Sequence, residues 1–208
     1  MSDYYTGQRA KTYEAKRRGD PKWAWEYKTL ERILETINVK SVLDAPVGTG
    51  RLLKLFSGKV VGIDCSEDML AIARKRSDTV ELHKLDLLTD EWPGKANLVV
   101  CFRFLNLISE KEALLMLGKI LTSAQKYAVF TLRTAPDTFT GKLSLGRVLI
   151  QRNSVMLAAI DELKFDVIER YAYKDPVPGS YDILLCKKRR KRRRRRNEAG
   201  NLVDYDPE

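Results

Sequence analysis

The stretch SVLDAPVGTGRLLKLF, Ser41 to Phe56, constrains the fold of this chain more than any other. A strand signal over Val39 to Ala45 ends in an acid, Gly48 and Gly50 follow one residue apart, and an apolar helical pattern restarts at Leu52. Glycine takes the left-handed conformations of so sharp a turn at little steric cost, and without a Cβ it lets backbone come close to a ligand. Such a turn at the carboxyl end of a buried strand points to an α/β sheet with a ligand at its strand ends.

The remaining periodicity agrees. Tyr5 to Arg18 and Pro21 to Thr36 read as helices, the second with Asp20 as N-cap before Pro21. Val60 to Asp64 is a β-branched strand, Ser66 to Arg76 a helix capped by Ser66, and Val80 to Asp86 and Leu98 to Phe102 are strands. Glu110 to Leu121 is helical ahead of a strand at Tyr127 to Leu132. Crossovers between these strands imply parallel pairing. Phe165 to Tyr173 and Tyr181 to Cys186 differ: only the turn-forming segment Lys174 to Ser180 separates them, so an antiparallel hairpin closes the sheet.

With 208 residues, 44% of them hydrophobic, one substantial core is expected. No apolar run is long enough for a bilayer span and the N-terminus lacks a secretory signal, so a cytoplasmic protein is expected. Cys65, Cys101 and Cys186 stand far apart beside a single histidine, His83, which suggests neither a disulfide framework nor a Cys/His zinc site; no metal is expected. The net charge of +10 is unevenly spread. Ten consecutive cations occupy residues 187–196, and without residues 187–208 the chain holds 28 basic and 24 acidic residues, a net of +4. Like charges repel and bury no apolar area, so 187–208 is expected to be a disordered tail, either merely solvated or an arm for nucleic acid.

Three strand-end acids narrow the ligand. Asp44 sits inside the glycine turn, where a pyrophosphate would be repelled and a cation welcomed. Asp64 is placed to accept both hydroxyls of a ribose, and Asp86 to accept from an adenine amino group. This series, with DAPVGTG, VVGID, LDLL and the terminal hairpin, resembles class I S-adenosylmethionine-dependent methyltransferases over about residues 39 to 186. The resemblance implies a Rossmann-like three-layer α/β sandwich whose seven-stranded, mostly parallel sheet has the order 3-2-1-4-5-7-6, with an antiparallel C-terminal hairpin strand. It divides the chain into a helical cofactor cap (1–38), the methyltransferase domain (39–186) and the Arg-rich tail (187–208).

The cofactor implied is S-adenosyl-L-methionine. Its site residues are expected to be Asp44, Ala45, Gly48, Thr49, Gly50, Asp64, Cys65, Met69, Asp86 and Leu87, with Tyr5 and Arg9 from the cap. Tyr4, Tyr5 and Tyr13 can cover the sulfonium, and Arg9 can pair with the methionine carboxylate. Trp23 and Trp25 are expected to fasten the entry helices to the sheet, and His83 to be structural.

Acceptor-side residues are expected beyond the fourth and fifth strands, in CFRFLNLIS and TLRTAPDTF: Arg103, Asn106 and Arg133, with Phe102 and Phe104 as walls or core. Strand alternation would point both phenylalanines the same way. The Asn-Pro-Pro-aromatic motif of base-amino methyltransferases is missing from Cys101 to Phe104, and Val100 stands where the pyrimidine C5 enzymes have proline before cysteine. The expected activity is methyl transfer to an oxygen or nitrogen of a small molecule by a monomer. The alternatives are an RNA or DNA methyltransferase recruited through residues 187–196 and a non-catalytic S-adenosylmethionine-binding module. A nicotinamide-binding Rossmann protein is disfavoured by Asp44 and by the hairpin.

Overall fold

The computed structural model describes residues 6–139, 144–145, 148–174, 179–190, 193–196 and 202–205, the last two segments by their backbone. Tyr4, Tyr5 and residues 175–178 of the expected hairpin turn lie outside them.

The central sheet has β1 (Ser41–Asp44), β2 (Lys59–Asp64), β3 (Glu81–Lys84), β4 (Ala96–Cys101) and β5 (Ala124–Ala135) in parallel. Beyond them two short pieces, β6 (Ser144–Leu145) and β7 (Val148–Leu149), pair with each other, and β8 (Gln151–Arg152) pairs with β5. The strands β9 (Phe165–Tyr173) and β10 (Ser180–Lys188) form the antiparallel hairpin, with β10 against β5, so the order is β3-β2-β1-β4-β5-β10-β9. This is the Rossmann-like methyltransferase sheet the sequence implies.

Helices cover both faces because strand alternation sends apolar side chains both ways. Leu30 and Ile33 of α2 (Pro21–Thr36) pack on Val42, Leu98, Val100, Val129 and Ile183. Leu70 and Ala73 of α3 (Glu67–Arg74) meet Val47 and Val60. On the opposite face Met116, Leu117 and Ile120 of α4 (Glu110–Ser123), with Met156 and Ile160 of α5 (Asn153–Glu162), cover Val99, Cys101, Phe130 and Leu184. The starts of α2, α3 and α4 have chemical causes: Asp20 accepts from Lys22 N–H, Ser66 from Met69 N–H, and Ser109 with Glu112 makes a reciprocal capping box.

Three departures from the sequence expectations have physical reasons. The single helix expected over Tyr5 to Arg18 is α1 (Gly7–Thr12) followed by a 3-10 turn at Ala15–Arg17. The break lets Glu14 reach Thr49 Oγ1 and Arg76, tying the segment across the glycine turn. Helix α5 was not expected; it has no capping side chain, and its N-terminus directly abuts β8. The expected tail boundary at 187 is too early, since β10 runs to Lys188 and Arg189 pairs with Asp161 and Asp166. Further on, the backbone of β11 (Arg193–Arg196) pairs antiparallel with β12 (Leu202–Tyr205), where a disordered segment was expected.

Candidate active site

At the carboxyl ends of β1, β2 and β4 a cavity opens between the glycine turn, Cys65, Met69 and Leu87 on one side and Tyr13, Arg51, Phe102, Arg103 and Phe104 on the other. The turn places its glycines differently. Gly48 has φ +56, and a Cβ there would meet no protein atom within 4 Å, so the space beside it belongs to the cavity. Gly50 has φ +74, but its Cβ would strike Leu53 and Ala73 at 2.7 and 3.1 Å, so this glycine serves helix packing.

Both strand-end acids are buried. Asp44 is 1% exposed and its Oδ1 has no hydrogen-bond partner in the protein. Burial pushes its pKa from 3.8 up to about 8, opposed in part by Arg51 and reinforced by Asp64. Asp64 accepts from Gly48 N–H through one oxygen and from Ser66 N–H through the other, both at 2.9 Å. Its pKa is raised by burial, against the pull of these backbone donors. Each oxygen keeps acceptor capacity for a further hydroxyl. Cys65 beside it has its thiol pKa raised by burial and by Asp64, which leaves it a neutral wall group.

Of the expected cofactor residues, Asp44, Gly48, Thr49, Asp64, Cys65, Met69 and Leu87 line the cavity. Ala45 is fully buried and continues the pairing to β4 through its N–H, while Gly50 packs on α3. Asp86 does not line the cavity: its Oδ1 accepts from Leu88 and Thr89 N–H and caps its own turn. Arg9 is exposed on α1, away from the cavity wall, because the cap approaches through Tyr13 instead. Tyr5 lies outside the described residues.

Among the acceptor-side candidates Arg103 lines the cavity, whereas Asn106 and Arg133 do not. Arg133 is 2% exposed and lies 5.2 Å from the Tyr181 ring, within the core of the β5–β10 pair. Phe102 and Phe104 both line the cavity but join opposite core faces, contrary to strand alternation. The cause is Arg103, whose φ of 60 breaks the strand between them. His83 pairs with Glu81 at 2.7 Å, away from the cavity. Trp25 packs on Tyr173 and Tyr181, as a fastener would.

Sequence reasoning missed the group that organises the far end. Glu26 of α2 is fully buried, accepts from Arg51 Nη2 at 2.5 Å and from Tyr181 Oη at 2.6 Å, and lies 3.1 Å from Arg103 Nε. Asp20 takes Arg103 Nη2 at 3.3 Å. Burial is the largest single influence on Arg103 and works against its charged form, but Glu26, Tyr181, Tyr13 and Asp20 together outweigh it, so its pKa is raised. A polar residue on the inner face of an otherwise amphipathic helix was the one available signal.

Residues 42–125 match the methyltransferase domain family, and the fold is that of many S-adenosylmethionine-dependent methyltransferases. The Synechocystis PCC 6803 magnesium protoporphyrin IX methyltransferase with bound SAH superposes with a TM-score of 0.65 at 17% identity, covering 79% of this chain and 83% of that one. CalS10, an amino pentose methyltransferase from Micromonospora echinaspora solved with SAM, gives 0.65 at 17% identity, covering 86% and 97%. Streptomyces venezuelae DesVI gives 0.65 at 17% identity, covering 86% and 99%. No curated protein matches by sequence. Among the described residues no helix is long and apolar enough to cross a membrane, and no cluster of His, Cys, Asp and Glu is arranged to hold a metal.

Proposed function

We propose that this chain binds S-adenosyl-L-methionine in the cavity and transfers its methyl group to an oxygen or nitrogen of a small molecule. The observation that carries the cofactor assignment is the buried, unpartnered Oδ1 of Asp44 beside the open face of Gly48. An anionic or phosphate-bearing ligand would press Asp44 further toward its protonated form and gain no charge partner there, whereas a cationic one favours its carboxylate and gives it its missing partner. Asp64 is poised to take the ribose hydroxyls, and Met69 and Leu87 supply apolar contact for the base.

When bound, the cofactor supplies an electrophilic methyl carbon on a sulfonium. The protein's task is alignment and exclusion of water, which the Tyr13 cap and the phenylalanine walls perform. Among the described residues no histidine lines the cavity, so an acceptor that loses its proton to solvent, or is already nucleophilic, suits the site. The similar structures include a porphyrin and an amino pentose methyltransferase, which supports a small acceptor without selecting one.

Calorimetry tests the cofactor: S-adenosylmethionine is expected to bind in the micromolar range, roughly −8 kcal/mol, and NAD not above background. NAD binding without S-adenosylmethionine binding would reverse the assignment. A labelled-methyl screen over metabolites and over RNA and DNA then separates the acceptor classes. Label entering nucleic acid alone would overturn the small-molecule reading.

A further inference from the structure

The cavity wall has an acidic and a basic part. Asp44 and Asp64 form the first and Arg103, among Tyr13, Phe102 and Phe104, the second, with Arg51 between them, near enough to Asp44 to lower its pKa. Glu26 holds both guanidiniums in place, and Asp20 engages a second nitrogen of Arg103. Arg103 Nη1 is left buried with no hydrogen-bond partner in the protein. Folded proteins seldom keep a charged donor in that condition, because its lost hydration is uncompensated. The backbone sharpens the point. Arg103 has φ 60, a left-handed conformation that a non-glycine residue seldom takes, and it is fixed there by its N–H donating to Thr131 Oγ1 at 2.7 Å. Strain held in place at a cavity wall marks a position set by use more than by folding. Trp23 Nε1 is a second buried donor without a partner, and its ring lies 5.0 Å from the Arg51 guanidinium and 5.9 Å from Tyr13.

Resting on the methyltransferase reading above, we propose that the acceptor is an aromatic carboxylate bearing a hydroxyl or amino group. Arg103, with Arg51 beside it, grips its carboxylate, and Tyr13, Phe102 and Phe104 hold its ring. A carboxylate oxygen hydrogen-bonded to guanidinium is a poor nucleophile, so the hydroxyl or amino group is the one methylated. Its lone pair forms the new bond to the methyl carbon, the carbon–sulfur bond breaks with its electrons going to sulfur, and its proton passes to water.

The alternative source of a carboxylate is the cofactor's own methionine end, and the experiment separates the two. Salicylate and anthranilate, with their neutral amides as controls, are titrated into the full chain saturated with S-adenosylhomocysteine. The acids are expected to bind and the amides to bind more weakly by about tenfold or more. Arg103→Gln is expected to lose about tenfold for the acids, with a much smaller change for S-adenosylhomocysteine. Arg103→Lys, which keeps a cation beside Glu26 should the first variant unfold, loses the planar fork and is expected to show the same pattern. Equal binding of acids and amides, or binding of neither, overturns the proposal while the methyltransferase reading stands. If Arg103→Gln weakens S-adenosylhomocysteine but not methylthioadenosine, which lacks the amino-acid end, the guanidinium serves the cofactor and the proposal fails. A parent chain that takes up no S-adenosylhomocysteine overturns the underlying reading as well.

Discussion

The two ends of the cavity are built by different rules. At the acidic end the contacts run between backbone and side chain within one strand–turn–strand unit, as when Gly48 N–H and Ser66 N–H both donate to Asp64. At the basic end the contacts are between side chains brought from four places: Glu26 in α2, Arg51 after the turn, Arg103 after β4 and Tyr181 in β10, the last 155 residues from Glu26. A backbone-anchored end follows directly from the fold, since its contacts depend on the chain path rather than on distant side chains. An end built from side chains is free to change with the acceptor.

Removing the shared carboxylate should separate the ends most sharply. Glu26→Gln leaves two arginines and a tyrosine hydroxyl around a neutral amide at a fully buried position. Breaking a buried ion pair from one side costs about 3–5 kcal/mol. Urea unfolding should show a loss of that order, with the acidic end still binding cofactor in the folded fraction. A loss below about 1 kcal/mol, the range of exposed pairs, would make the network peripheral and dissolve the distinction.

Gly48→Val attacks the other end. The new side chain would project into the cavity and away from protein atoms, at a φ of +56 that costs about 1–2 kcal/mol. Affinity for S-adenosylmethionine should fall at least about a hundredfold, which is about 2.7 kcal/mol, while the protein still folds. Parent-like binding would move the cofactor away from the turn.

The same division decides what the sequence made legible. Asp44, Gly48 and Asp64 could be picked out because their roles depend on neighbours along the chain and on the ends of β-branched runs. Asp86 looked equivalent, but its carboxylate is taken up by Leu88 and Thr89 of its own turn, a competition that only the local backbone path decides. Glu26 had one local mark, its place on the buried face of α2 with Leu30 and Ile33, but its role was hidden because its partners Arg51 and Tyr181 lie 25 and 155 residues away. Phe102 and Phe104 were placed on one side because alternation was assumed to run past Cys101, where the positive φ of Arg103 breaks the strand. Helix α5 escaped for want of a capping side chain, although Met156 and Ile160 stand one turn apart.

A smaller effect is expected at Asp64. Replacing it with Asn keeps one acceptor oxygen but removes the charge from the hydrogen bonds to a ribose, a loss of about 1.5 kcal/mol or roughly tenfold in affinity for S-adenosylmethionine. Binding of the aromatic acids at the far end should not follow. A matched loss there would show the two ends to be energetically coupled.

The finest distinction is in pH. Folding raises the pKa of Asp44 from 3.8 to about 8, so between those values the folded protein holds a proton that the unfolded chain has released. The contribution is therefore fully present below pH 3.8 and is lost as pH rises through about 8, with a slope of at most about 1.4 kcal/mol per pH unit. Asp44→Asn cannot titrate. The stability of the parent relative to this variant should consequently decline from about pH 5 to about pH 7.5 in ligand-free urea titrations. Ionising Asp44 also favours a cationic ligand, so the parent's affinity for S-adenosylmethionine should rise over that window more steeply than the variant's. Arg103 keeps its charge throughout, since Glu26, Tyr181, Tyr13 and Asp20 together outweigh the effect of burial on it, and the binding of aromatic acids should show no such rise. A parent and variant with parallel pH profiles would place the buried proton elsewhere and remove Asp44 from the acidic end.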